Sequence, residues 1–267
     1  MLRVGIIGFG AIGQELYRAI AEGRAGDAAC PAVLVRRERP AMGSAMGAPL
    51  TADPQRFFAQ GFDAVLECAG HAAVREHGAA ALRGGADLLV TSVGALTDAA
   101  LYERLAAAAR EAGRRLVIPS AGIGALDILG AAAVGGLDRV TITVRKDPLS
   151  WKGTLAEREH DLDRLPGPVT LFRGPVRQGA PLYPGNVNIS AAVGLAGLGL
   201  DATELHIVAD PTIATHVVEI EATGAFGRFH FVEDVLPSAE NPKTGRIVAM
   251  ALIKTVRQMS APVVFGG

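Results

Sequence analysis

The chain has 267 residues, a formal net charge of −1 and 49% apolar residues. That balance leaves no basic footprint for nucleic acid or an anionic membrane surface, and no uninterrupted apolar run reaches the roughly 18 residues of a membrane span. Its two cysteines, Cys30 and Cys68, match no metal-binding or redox spacing, so no metal is expected and a reducing cytoplasm suits them. A strand that begins at residue 2 leaves no room for a cleaved leader.

The first thirteen residues are the most informative. Residues 2–7, Leu-Arg-Val-Gly-Ile-Ile, form a short apolar run of the kind that makes a buried parallel strand. Gly8-Phe9-Gly10-Ala11-Ile12-Gly13 follows, and residues 14–20 read as a helix. Among 33 glycines a GxGxxG match is easy to find, but between a buried strand and a helix it is a dinucleotide fingerprint. Gly8 permits the tight turn, Gly10 lets the backbone approach a pyrophosphate, and Gly13 lets the helix pack on the strand. The helix N-terminus, with Ala11 and Ile12, offers N–H groups to the phosphates.

Residues 32–35 read as a second strand, followed by Arg36 and Arg37 where an acid that binds the NAD ribose is usual; the first acid is Glu38. An arginine pair there can grip a 2′-phosphate, so NADP is expected alongside NAD. Strands at 64–68, 87–91 and 115–119 alternate with alanine-rich helices at 72–82 and 98–112, which implies a Rossmann-type, doubly wound parallel sheet. Its ligand crevice lies beyond the carboxyl ends of the strands. Cys68 and Ala69, Ser92, and Ser120, Ala121 and Gly122 all fall there; Cys68 reads as buried rather than as a nucleophile.

Beyond Gly124 the texture changes. A helix at 125–133 precedes period-2 runs at 140–144, 205–208, 217–221 and 226–235, with a small apolar helix at 188–200. This half reads as an α+β domain with a mixed or antiparallel sheet. Asn241-Pro242-Lys243-Thr244 is expected to open a last helix that runs to about residue 259, with proline early in the first turn. The division is then a dinucleotide-binding domain at 1–120, completed by 241–267, and a catalytic or dimerisation domain at 121–240.

An enzyme of this kind needs a group to manage one proton while hydride leaves, and histidine suits that task. His77, His160, His206 and His230 fall in helix, charged-loop or strand patterns. His71 lies near the crevice, and His216 opens a strand after a turn.

The blocks Gly8–Gly13, Ser120-Ala121-Gly122-Ile123, Pro184-Gly185-Asn186-Val187-Asn188, Ala209-Asp210-Pro211, Gly224-Ala225-Phe226-Gly227 and Asn241-Pro242-Lys243-Thr244 occur in an order that resembles the L-aspartate dehydrogenase family, over essentially the whole chain. The resemblance implies a homodimer that oxidises L-aspartate to iminoaspartate with NAD or NADP. The imine is then hydrolysed to oxaloacetate and ammonia or passed towards NAD biosynthesis. It places cofactor contacts on Ser120–Gly122 and Asn186, and the catalytic histidine at His216. His216 stands two residues farther from Gly224 than the family pattern expects, and an ungapped match puts Val218 there; a two-residue step keeps the same strand face. Asn188, Lys243 and Thr244 are candidates for the substrate, with Arg145, Lys146 and Lys152 as further cations for its carboxylates. Two rival readings are another dehydrogenase of aspartate-derived metabolism and a non-catalytic dinucleotide sensor.

Overall fold

The computed structural model describes residues 1–37, 43, 45–120, 122–183, 188–238 and 244–266. It divides into two units, Met1–Pro119 with Ala249–Gly267, and Ser120–Val248.

In the first unit six parallel strands, β1 (Leu2–Ile7), β2 (Ala28–Leu34), β3 (Leu50–Thr51), β4 (Ala64–Glu67), β5 (Asp87–Val90) and β6 (Leu116–Val117), lie in the order 3-2-1-4-5-6. The order reverses between β1 and β4, which is the switch point where a doubly wound sheet opens its crevice. The middle of each central strand is apolar because helices cover both faces, and Val4, Ile6, Ala64, Leu66 and Leu89 are fully buried. The helices are α1 (Ala11–Ala21), α2 (Pro54–Phe58), α3 (His71–Arg83) and α4 (Ala99–Ala112). Asp53 and Asp98 cap α2 and α4 with their carboxylates, and Gly113 ends α4 at φ +61°. The edge strand β6 is pinned by Asp87, which accepts from the Arg115 backbone N–H and from its guanidinium at 2.6 and 2.9 Å.

The chain returns to this unit at its end. A final helix buries Leu252 and Val256 in the core of β1 and α1, and its Arg257 donates to the Arg24 carbonyl. It spans Ile247–Ser260, so the expectation that it opens at Asn241 does not hold. Thr244 lies ahead of it because the backbone there is spent elsewhere: Pro237 and Gly245 form an antiparallel bridge, Ser238 N–H donates to the Thr244 carbonyl, and Arg246 N–H to Leu236. Pro242 lies outside the described residues.

The second unit carries five strands, β7 (Leu137–Lys146), β8 (Val169–Pro175), β9 (Glu204–Ala209), β10 (His216–Gly224) and β11 (Gly227–Val235), in the order 11-10-7-9-8. Only β7 and β9 are parallel, so the sheet is mixed. Its inner face packs Val140, Ile142, Val144, Val218, Ile220 and Ala222 under α5 (Leu126–Gly135) and α8 (Asn188–Ala196). Short helices α6 (Ala156–Glu159) and α7 (Val176–Leu182) complete the cover, and Trp151 meets Tyr183 edge-on at 5.7 Å. Strand β8 escaped the sequence reading because Gly174 and Pro175 blur its alternation.

Face matters more than residue type here. Ile142→Ala, on the inner face, should cost about 2–5 kcal/mol in denaturant unfolding. Thr143→Ala, one residue on and facing out, should cost less than about 1 kcal/mol; equal costs would contradict this assignment of faces.

Candidate active site

The fingerprint turn joins β1 to α1. Gly8 adopts φ +99°, and a Cβ there would run into Ala69 at 2.8 Å, while one at Gly13 would strike the Gly8 carbonyl. At Gly10 a Cβ would meet nothing within 4 Å. Two glycines are thus required by protein packing and the third borders open space, which is where a bulky pyrophosphate fits. Helix α1 begins with neither a side-chain cap nor an acid in its first turn, so its N-terminal dipole is left to an anion. These residues fit a dinucleotide.

Glu67, at the end of β4, is only 1% exposed. Its Oε1 accepts from the backbone N–H groups of Ala69 (2.7 Å) and Gly70 (2.6 Å) and from Ser92 Oγ (3.0 Å), and its Oε2 from Ser92 N–H (3.0 Å). One buried carboxylate therefore shapes both the Cys68–Gly70 turn after β4 and the Ser92 turn after β5, two adjacent loops at the carboxyl edge of the sheet. Cys68 is half-buried, with its thiol pushed well above the ordinary range by burial and by the Glu67 charge, so it is no thiolate nucleophile. Arg36 and Arg37 are exposed on the bend that follows β2. His71 is the first residue of α3 and His77 lies within it.

His216 is the first residue of β10 and is 4% exposed. Antiparallel pairing sets it opposite Lys146, the last residue of β7, which is equally buried, so imidazole and ammonium leave the same sheet face side by side. The Lys146 Nζ lies 5.6 Å from the centre of the Trp151 ring. Ser150 Oγ donates to Asp147 at 2.6 Å and lies 3.5 Å from His216 Nε2, which orients the ring. Arg145 pairs with Asp210 at 2.9 Å, and Asp210 also accepts from the Thr212 N–H and hydroxyl. Burial works against its ionisation, but the Thr212 and Arg145 bonds hold its carboxyl below the ordinary carboxylate range. Lys152 is engaged by Asp163.

Val218 stands on the same face as His216, two residues along, so the departure from the family spacing leaves the imidazole facing inward. Directly across from Val218 is Glu233 of β11. Burial raises its carboxyl to about 7, against the pull of a hydrogen bond from the Gly124 N–H, and its Oε1 has no partner among the described residues.

Gly122 approaches Ile189 and Val248, and Ser120 N-terminal to it accepts from Ile123 N–H through its carbonyl. Asn188 opens α8 and Thr244 sits in the bridged turn before the final helix, both half-buried. Ala121, Asn186 and Lys243, like Glu38, lie outside the described residues. His206 and His230 are held by Glu204 and Glu219 at 2.9 and 2.6 Å, and His160 ends α6. Sequence reasoning passed over Glu67 and Glu233 and ranked Lys146 low. The one signal for Glu67 was an acid closing an otherwise apolar strand.

Comparison with known proteins agrees with this layout. The family model "Aspartate dehydrogenase, C-terminal" matches residues 127–259, and "Homoserine dehydrogenase, NAD binding domain" matches 8–119. The chain is 42% identical to an L-aspartate dehydrogenase of Ruegeria pomeroyi over 263 residues, covering 98% of this chain and 94% of that one. It is 43% identical to one from Ralstonia nicotianae, covering 96% and 97%. In fold it resembles the crystal structure of aspartate dehydrogenase from Thermotoga maritima, at a TM-score of 0.78 and 23% identity over the whole of both chains.

The raised Glu233 carboxyl has a signature in stability. Between its ordinary value of 4.5 and about 7 the unfolded chain has released the proton and the folded one keeps it, so this group makes the protein less stable as pH rises across that window. Glu233→Gln should therefore gain in Tm relative to wild type from about pH 4.5 to 7 and level off above. A difference that stays flat with pH would contradict the burial of this carboxyl.

Proposed function

Because the chain belongs to the L-aspartate dehydrogenase family, we propose that it oxidises L-aspartate to iminoaspartate with NAD or NADP as acceptor. The observation that carries this reading is the buried imidazole and buried ammonium side by side on one sheet face, His216 opposite Lys146. An amino dicarboxylic acid needs both: an acceptor for the proton of its ammonium group and a cation for a carboxylate.

When bound, the nicotinamide ring accepts the hydride that leaves the substrate Cα. Neutral His216 takes the proton from the substrate ammonium or from the water that attacks the imine. Ser150, held by Asp147, fixes the tautomer and orientation of the ring. Lys146 receives one substrate carboxylate; Asn188, Thr244 and Lys243 are its further polar partners. Gly8, Gly10, Ala11, Ile12 and Gly13 hold the pyrophosphate. Arg36 and Arg37 receive a 2′-phosphate, and Cys68, Ala69 and Ser92, shaped by Glu67, border the ribose. Ser120, Ala121, Gly122 and Asn186 complete the cofactor contacts. A homodimer in a reducing cytoplasm, with iminoaspartate hydrolysed or passed to NAD biosynthesis, goes with this reading. Among the described residues no helix is long and apolar enough to cross a membrane.

Reduction of NADP⁺ and NAD⁺, followed by absorbance with L-aspartate against glutamate, alanine, homoserine and D-aspartate, tests the activity. A signal specific to L-aspartate is expected; cofactor binding with no turnover on any substrate would favour a sensor instead. His216→Ala should lower kcat roughly 10²- to 10⁴-fold, and Lys146→Met should raise KM for L-aspartate about tenfold or more with little change in KM for the cofactor. Unchanged turnover in the histidine variant would remove it from the mechanism.

A further inference from the structure

Glu233 is the one carboxyl that the β10–β11 pairing brings to the inner face beside His216, and the roles assigned so far leave it unused. His216 pairs with Val235 and Val218 with Glu233, so the two titratable groups are diagonal neighbours on one face. Diagonal pairs lie about 7–8 Å apart, within reach of long side chains. One Glu233 oxygen is tied to the Gly124 N–H, in the turn that begins at Ser120; the other is buried and has no partner among the described residues. A Cβ on Gly124 would press on the Phe231 ring at 3.1 Å, so turn and strand are packed together. A carboxyl held on one side only, on a face that is apolar apart from His216 and Lys146, is costly to keep and has no structural task that glutamine would not perform.

Resting on the L-aspartate dehydrogenase reading, we propose that Glu233 is a positioning residue that acts through His216. Its carboxylate stabilises the imidazolium that forms when His216 takes the substrate proton. Among the described residues, the Asp147 carboxylate reaches the His216 ring through Ser150. Lys146 on β7 stands beside His216 and opposes its protonation, while Asp127 lies in the first turn of α5, which packs on β10. Helix α8 contributes no ionisable side chain. Glu233 therefore offsets Lys146: the ammonium keeps His216 neutral and ready to accept, and the carboxylate keeps acceptance from becoming too costly.

The test is the pH dependence of kcat/KM for L-aspartate in wild type, Glu233→Gln and Glu233→Asp, with His216→Ala and the His216→Ala/Glu233→Gln double variant alongside. The Glu233 charge is present only above about pH 7, so kcat/KM of Glu233→Gln should fall several-fold below wild type above that pH and converge with wild type below about pH 6. Its kcat should fall likewise, and its cofactor Kd should stay as in wild type. Glu233→Asp, which keeps the charge, should hold the pH profile near that of wild type. In the His216→Ala background Glu233→Gln should add less than about a twofold loss, because coupled residues are not additive. A loss in Glu233→Gln that is the same at every pH, or losses that multiply in the double variant, would overturn the proposal. No L-aspartate turnover in wild type would instead defeat the functional reading on which it rests.

Discussion

Burying a carboxylate is costly unless its lone pairs are filled, and at Glu67 they are filled by the loops that form the edge of the crevice. The interaction runs in both directions. Without Glu67, the N–H groups of Ala69, Gly70 and Ser92 would lose their acceptor at the carboxyl ends of β4 and β5. Without those donors, a charge at 1% exposure would not be sustained. Gly8 depends on the same turn, since Ala69 is the residue that a Cβ at Gly8 would strike. The glycine fingerprint and the acid at the strand end are therefore one device, in which the close approach of β1 to β4 is held by a filled carboxylate.

The second unit solves a different problem, how to place ionisable groups on the inner face of a sheet. It does so through register. Ten-residue β7 runs the length of β10, and the pairing ends with Lys146 opposite His216 where the apolar stripe stops. A one-residue slip would turn both outward, into the row of Val217 and Arg145. Apolar pairs farther down the ladder, such as Ile142 with Ile220 and Val140 with Ala222, make such a slip costly. Core packing thus fixes the position of the imidazole, and a shift of two residues along the strand keeps it on the same face.

What was legible in the sequence divides along the same line. The fingerprint turn could be read because glycine geometry is local: a positive φ at Gly8 and a close helix at Gly13 are both written in a six-residue window. The facing of His216 could be read because strand alternation is local too. Glu67 and Ser92 are 25 residues apart, and Ser150 and His216 are 66 apart; nothing in either neighbourhood announces the partner. Lys146 looked like one of three basic residues near a strand end, and only the pairing of β7 with β10 separates it from Arg145, which Asp210 takes, and Lys152, which Asp163 takes. The start of the last helix was misplaced because Asn-Pro-Lys-Thr has the composition of a helix start, while the bridge between Pro237 and Gly245 claims the backbone first.

The central claim is direct hydride transfer from the Cα of L-aspartate to a nicotinamide. Incubating the protein with L-aspartate deuterated at Cα and oxidised NADP, and weighing the reduced cofactor by mass spectrometry, tests it most directly. The account predicts one deuterium in each molecule of reduced cofactor, with a slowed rate if the transfer limits turnover. Reduced cofactor without deuterium, or none formed while the cofactor still binds, would contradict it.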